Sequence, residues 1–142
     1  MSARELSTNF AAQELRNGNL VAFPTETVYG LAGNAYLKKA IKKIFDFKNR
    51  PKMNPLIIHY YKLEDAKKDI ILTNSFLKLY KKFCPGPLTF VLNKKESSKI
   101  QPLSNANLET IAIRFPNHRV VRSVLRFTNY PLAMPSANIS SK

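Results

Sequence analysis

Hydroxyl and carboxylate side chains stand in succession directly after a short apolar run near the start of the chain. The run LVAF at 20–23 ends at Pro24, and Thr25-Glu26-Thr27 follow before a second apolar stretch that contains Gly30. No His or Cys lies nearby in the sequence, so this segment does not supply a nucleophile paired with a base. Thr and Glu also satisfy free backbone donors at turns and helix starts, which is the structural alternative for these residues.

A second polar segment, KNRPKMNPLIIH at 48–59, places two cations before another apolar run. Lys48 and Arg50 could clamp phosphate, with Lys acting as a point charge and Arg as a planar fork. The alternative is a helix C-terminus, where cations suit the negative end of the dipole. His59 lies on a predicted apolar strand, where a lone histidine is more often a satisfied core residue than a ligand contact.

Three further segments place polar groups beside predicted strands: PGPLTFVL at 85–92, IAIRFPNH at 111–118 and PSANIS at 135–140. Thr89 could present its hydroxyl to a cleft, although the Pro-Gly-Pro turn before it is typical of a rigid corner. Arg114 interrupts an otherwise apolar strand, so its charge needs an anionic partner. The three polar residues after Pro135 could either cap a following helix or line a ligand cleft; they are Ser136, Asn138 and Ser140.

The hydrophobic pattern that must position these segments alternates between helical and extended stretches. This alternation predicts an α/β fold, an open, twisted mixed sheet with flanking helices. Residues 41, 44, 45 and 47 are predicted to form the apolar side of one helix, and residues 120, 121, 124, 125 and 127 that of another. Helices are predicted at 7–18, 38–49, 74–83 and 118–127, and strands at 20–23, 55–61, 88–92, 110–115 and from 130 onward.

Composition limits the classes of protein that the chain can belong to. Its 142 residues are 44% apolar, which indicates one folded domain, here taken as 1–142. The single cysteine excludes an internal disulfide and a cysteine-cluster metal site. No apolar run approaches the roughly 20 residues of a membrane helix, and the start has no apolar signal region. We therefore expect no membrane association and a cytoplasmic location.

The net charge of +14 comes from 23 Lys and Arg residues against 9 Asp and Glu residues. Such a field attracts polyanions, including RNA and nucleotides. Of these cations 16 are Lys, whereas planar bidentate recognition of RNA would favour Arg. General lysine enrichment is therefore favoured over a dedicated nucleic-acid surface as the explanation of the charge.

Five segments together resemble one family, the YrdC family of threonylcarbamoyl-adenylate synthases. FPTETVYGLAGNA, KNRPKMNPLIIH, PGPLTFVL, IAIRFPNH and PSANIS occur in the order and approximate spacing of that family. The resemblance implies a YrdC-like α/β fold that makes L-threonylcarbamoyl-AMP from L-threonine, bicarbonate or CO2, and ATP, with release of pyrophosphate. It further implies Mg²⁺ as the companion of ATP, and a role in modifying tRNA to N6-threonylcarbamoyladenosine (t6A) together with a separate t6A transferase machinery. Binding of tRNA or double-stranded RNA is also ascribed to the family.

The resemblance also assigns roles to individual residues. Lys48 and Arg50 would be catalytic, Thr27 and His59 would bind threonine, and no protein side chain would ligate the metal. The ATP-binding residues would be Arg50, Asn54, Thr110, Ser136, Asn138 and Ser140, with Thr25 and Arg114 lining the cleft.

Some features depart from the family pattern. Met134, Asn49 and Ser141 stand where the family commonly has Ala, Gly and Gly. Family catalytic domains continue past the position of Lys142, so the 1–142 domain is expected to lack the family's C-terminal part. The alternative function is a catalytically impaired or inactive remnant that retains binding to double-stranded RNA or tRNA. A carbamoyltransferase-type relative shares the fold but would normally carry added domains.

Overall fold

The computed structural model describes residues 3–24, 29–48 and 55–135, which form a six-stranded sheet with helices on both faces. The strand order is β1-β2-β6-β3-β5-β4. The strands are β1 (Val21–Pro24), β2 (Tyr29–Asn34), β3 (Ile57–His59), β4 (Thr89–Asn93), β5 (Thr110–Arg114) and β6 (Leu132–Met134). The helices are α1 (Ala3–Arg16), α2 (Lys38–Lys48), α3 (Leu63–Ala66), α4 (Asn74–Phe83) and α5 (Arg119–Phe127), with a 3-10 turn at Pro102–Asn105.

Strand pairing gives the sheet two chemically different ends. β3 and β5 are parallel, and β2 runs the same way because both β2 and β3 pair antiparallel with β6. β1 and β4 pair antiparallel with β2 and β5. One end, here the Tyr29 end, therefore carries the starts of β2, β3 and β5 and the last residues of β1, β4 and β6. The other, the Asn34 end, carries His59, Arg114 and Thr89.

The core lies on both faces of the sheet. On the α2 face, Ile58, Ile111 and Ile113 pack with Ile41 and Ile44 of α2 and with the aromatic rings of α4. On the α5 face, Leu15 of α1 and three residues of α5 pack over β1, β2 and β6; those three residues are Val121, Val124 and Leu125.

Three predicted apolar positions lie outside this core. Phe47 is 72% exposed, and Val120 and Phe127 are also exposed. Each helix therefore buries a narrower apolar stripe than the sequence pattern indicated. The prediction that these three residues face the core was wrong.

Local sequence signals explain several element boundaries. Gly18 has φ +89°, the left-handed geometry that favours glycine just past a helix, and it follows the end of α1. Thr73 caps α4 because its Oγ1 accepts the backbone N–H of Phe76 at 3.1 Å. Within the described ranges, no helix is long and apolar enough to cross a membrane.

Candidate functional site

The described residues next to three predicted site segments all come to the Tyr29 end of the sheet. Pro24 closes β1 opposite Tyr29, Pro55 precedes β3, and Pro135 follows β6. The segments that these residues flank hold predicted site residues outside the described residues, namely Thr25, Thr27, Arg50, Asn54, Ser136, Asn138 and Ser140. Lys48 is described only as the last residue of the α2 backbone.

Part of the α5 face of the sheet carries no covering helix among the described residues. Alternate side chains of β5 differ in exposure: Ile111 and Ile113 are buried on the α2 face, whereas Thr110, Ala112 and Arg114 are partly exposed on the α5 face. The facing residues of β4 include Thr89 and Val91, of which Val91 is 66% exposed. We call these five residues, Thr110, Ala112, Arg114, Thr89 and Val91, the open strip. An uncovered face on an inner strand is available to a ligand.

Arg114 supplies to the open strip a positive charge that no described carboxylate neutralises. Its Nε and one terminal nitrogen both donate to the Thr89 hydroxyl oxygen, at 2.9 and 2.5 Å. No Asp or Glu among the described residues forms an ion pair with it. Burial lowers the pKa of the guanidinium from its ordinary value, but an arginine stays charged at neutral pH. The anionic partner expected for Arg114 is therefore not a described carboxylate, and the remaining guanidinium donors can serve an external anion.

His59 lies next to Arg114 in the parallel β3–β5 register. Its Nδ1 lies 3.0 Å from the Ile57 carbonyl oxygen, and because a carbonyl only accepts, Nδ1 carries the proton. Burial, followed by the charge of Arg114, lowers the pKa of His59 to about 4. At neutral pH the ring is uncharged, so it contributes packing and hydrogen bonding but no positive charge.

Thr110 lies at the other end of the open strip. It is four residues from Arg114, which at about 3.3 Å per residue separates them by roughly 13 Å along β5. The structure therefore brings His59 and Arg114 together at the Asn34 end, and places Thr110 with the flanks of the other predicted site segments at the Tyr29 end. One ligand that touched both groups would have to be extended along β5.

The family model Sua5_yciO_yrdC, described as telomere recombination, matches residues 13–142. The chain belongs to this family. It is 45% identical over 141 residues to a threonylcarbamoyl-AMP synthase of Pyrococcus abyssi, covering 97% of this chain and 40% of that protein. A threonylcarbamoyl-AMP synthase of Bacillus subtilis is 44% identical over 146 residues, covering 97% of this chain and 41% of that protein. The chain thus spans about 40% of the length of these curated relatives.

Solved structures of the family share the fold. A Pyrococcus abyssi Sua5 structure complexed with L-threonine superposes with a TM-score of 0.87 at 43% identity, covering 95% of this chain and 39% of that one. Escherichia coli YciO superposes with a TM-score of 0.83 at 20% identity, covering all of this chain and 68% of that one, and it supports the fold alone. These structures confirm the predicted mixed α/β fold.

Sequence reasoning missed two residues that hold the strands of the site in place. Asn105 is 1% exposed, and its Nδ2 donates to the carbonyls of Leu108 and Thr110, at 2.7 and 3.0 Å. The carbonyl of Ser104 accepts the backbone N–H of Leu56 at 2.7 Å, just before β3. Ser and Asn commonly bond backbone groups in turns, so their occurrence in the turn before a predicted strand was the available signal.

Proposed function

We propose that this chain makes L-threonylcarbamoyl-AMP from L-threonine, bicarbonate or CO2, and ATP, with release of pyrophosphate. Its relatives at 44–45% identity are named threonylcarbamoyl-AMP synthase. The observation that carries the proposal is the L-threonine complex of a Sua5 protein that shares 43% identity and the fold over 95% of this chain. The names of these relatives favour a synthase over an RNA-binding remnant.

The proposed reaction joins two anions and needs no nucleophilic side chain. The amine of threonine and CO2 form a carbamate, whose oxygen forms a bond to the α-phosphorus of ATP. The bond from that phosphorus to the bridging oxygen of the β-phosphate breaks, and pyrophosphate leaves with the electron pair. Fixed cations can offset the repulsion between carbamate and triphosphate and hold them in line. The uncharged ring of His59 beside Arg114 leaves the guanidinium as the local source of positive charge.

We assign threonine to the Asn34 end of the open strip and the nucleotide to the Tyr29 end. Arg114 has free donors for a carboxylate or carbamate at the Asn34 end. Thr110, at the Tyr29 end, lies with the flanks of the segments that hold Arg50, Asn54 and Ser136, which are proposed to bind ATP together with it. The roughly 13 Å between Thr110 and Arg114 matches an amino acid and a nucleotide bound end to end along β5.

Mg²⁺ is proposed as the companion of ATP rather than as an ion held by a protein cage. Among the described residues, no three His, Cys, Asp or Glu side chains come together as a metal-binding group. When bound, the ion would neutralise phosphate oxygens of the triphosphate. The product would pass to a separate transferase that modifies tRNA, and the net charge of +14 is compatible with transient tRNA contact.

Pyrophosphate release tests the proposed activity. The protein is incubated with ATP and Mg²⁺, and threonine and bicarbonate are added alone or together. Release is expected only when both are present. Arg114→Met should lower this rate by about 100-fold, because it removes a charge held near the reacting anions. Arg126→Met, which removes an exposed arginine of α5, is the matched control and should leave the rate unchanged.

Direct binding separates a failure of catalysis from a failure of the whole assignment. Isothermal titration of the folded protein should detect both L-threonine and ATP. Pyrophosphate release without threonine would assign the chain to a different ATP-consuming reaction. Absence of binding to both substrates would refute the proposal.

A further inference from the structure

A cavity opens at the Asn34 end of the sheet and shares no lining residue with the open strip. It has a volume of about 200 Å³. It lies beyond the carboxyl ends of the parallel strands β2 and β3 and beside the start of β6, a position where open α/β sheets commonly bind ligands. The lining residues are Tyr36, Tyr60, Tyr61, Asp65, Lys68, Leu125, Thr128, Asn129, Tyr130 and Pro131.

Four of the residues that line the cavity are tyrosines, and three of their four hydroxyls are engaged within the protein. Tyr36 and Tyr60 each donate to the same oxygen of Asp69 at 2.7 Å. Tyr130 donates to the Ala12 carbonyl at 2.9 Å. With these hydroxyls held inside the protein, the partly exposed side chains of Tyr36 and Tyr130 contribute their rings to the lining, whereas Tyr60 is only 1% exposed.

The surroundings of the cavity carry negative charge. Asp65 lines it directly, and Asp69, which is 1% exposed, lies behind Tyr36 and Tyr60. Asp69 also accepts the Ser98 hydroxyl at 2.6 Å, and no described Lys, Arg or His forms an ion pair with it. The pKa values of Tyr36 and Tyr60 are raised, mainly by burial. The Asp69 carboxylate contributes next to this increase, and the Asp65 carboxylate contributes least. Both carboxylates therefore lie within electrostatic reach of the cavity wall.

The C-terminal end of α5 adds partial charge of the same sign. Leu125 and Thr128 line the cavity at the point where this nine-residue helix ends. A helix C-terminus carries partial negative charge and favours cations. The guanidinium carbon of Arg122 lies 4.4 Å from the ring centroid of Tyr61, so one face of this wall ring is already occupied by a cation of the protein.

One cationic side chain, Lys68, lines this cavity. It stands three residues after Asp65 yet forms no ion pair with it, and Lys68 is exposed while Asp65 is partly buried. Lys68 therefore does not neutralise the Asp65 carboxylate, and the two side chains offer one negative and one positive group to a ligand in this cavity.

We propose that this cavity binds the ammonium group of a small organic molecule, either a simple amine or a free amino acid. The ammonium lies against the Asp65 carboxylate and the tyrosine rings. In an amino acid, the carboxylate meets Lys68 at the rim. None of the described residues assigned to the proposed synthase reaction lines this cavity, so the site is distinct from that reaction.

Three probes with the same phenyl ring separate the charges: phenethylamine carries an ammonium, 3-phenylpropionate a carboxylate, and L-phenylalanine both. Isothermal titration gives the affinities, and backbone amide shifts locate the site. Phenethylamine is expected to bind at millimolar concentration and to shift Tyr36 and Asn129 but not Val91 of the open strip. The carboxylate-only probe is expected to bind at least about tenfold more weakly.

Matched variants test the role of Asp65. Asp65→Asn keeps an oxygen acceptor for the Lys62 backbone N–H, which Asp65 accepts at 3.3 Å, and removes only the charge. It should weaken phenethylamine binding about tenfold. Glu64→Gln removes the neighbouring exposed charge, which does not line the cavity, and should leave binding unchanged. Circular dichroism confirms that both variants fold.

Lys68→Gln distinguishes an amino acid from a simple amine as the ligand. If the ligand is an amino acid, L-phenylalanine binds the unaltered protein more tightly than phenethylamine does, and this advantage disappears in Lys68→Gln. If the ligand is a simple amine, the two probes bind alike in both proteins. The proposal is overturned if phenethylamine does not bind at millimolar concentration, if Asp65→Asn binds it equally well, or if 3-phenylpropionate binds as tightly.

Discussion

The buried histidine of β3 should make the stability of this protein depend on pH. Burial and the charge of Arg114 lower the pKa of His59 from 6.5 to about 4 in the folded protein. As the pH falls through 6.5, the unfolded chain therefore takes up a proton that the folded protein does not. Stability is full above this range and decreases until about pH 4. The difference corresponds to about 3 kcal/mol, of which about 2 kcal/mol is lost between pH 7 and pH 5.

Urea denaturation at several pH values between about pH 7 and pH 5 measures this loss. His59→Asn keeps an amide donor for the Ile57 carbonyl but cannot titrate, so its free energy of unfolding should fall by about 2 kcal/mol less over the same range. His118→Asn removes the chain's other histidine and keeps His59, so the full loss should remain. If the free energy of unfolding changes equally with pH in the unaltered protein and in His59→Asn, then burial does not hold this histidine uncharged.

Substitutions at three further positions and their matched controls test other contacts of the structure. Thr89→Val removes the acceptor of two Arg114 hydrogen bonds and should weaken L-threonine binding about tenfold in calorimetry, whereas Thr89→Ser keeps the hydroxyl and should bind normally. Asp69→Asn replaces a buried acceptor of three hydroxyls and should lower the free energy of unfolding, measured by urea denaturation, by about 3 kcal/mol. Tyr60→Phe removes only one of these hydroxyls and should lower it by about 1 kcal/mol. Equal losses in the two variants would contradict a shared network. Gly18→Ala forces a side chain into φ +89° and should cost about 1 kcal/mol in the same assay, and an unchanged midpoint would refute the strain.

Most of the fold could be predicted from the hydrophobic pattern, because long periodic segments carry a strong local signal. The helix predicted at 74–83 matches α4, and the strands β4 and β5 lie within one residue of their predicted bounds. The strand β2 was missed, since its glycines and small residues give little alternation. Helix α1 begins at Ala3, four residues before the predicted start, and Thr8 is buried within it.

The candidate site was less predictable, since its geometry depends on strand pairing that no local pattern encodes. Thr110, His59 and Arg114 were all predicted from the sequence. The parallel β3–β5 register places His59 beside Arg114, while Thr110 lies at the opposite end of β5. The partner of Arg114 was expected to be an anion, and among the described residues it is the Thr89 hydroxyl across β5 and β4. A hydroxyl satisfies donors without cancelling charge, which is why this strand can hold an arginine and still leave it attractive to a ligand.

Two buried or half-buried charges of opposite sign, Asp69 and Arg114, are both held by hydroxyl groups. In a chain with net charge +14, Asp69 is almost fully buried, and it is stabilised by three hydroxyls while no described cation pairs with it. Arg114 is half-buried and likewise held by a hydroxyl. Ion pairs at these positions would have neutralised both sites, whereas neutral hydrogen bonds preserve the local fields. A positive field on the open strip and a negative one at the tyrosine-lined cavity therefore coexist in one small domain, so that anions and ammonium groups are drawn to different places.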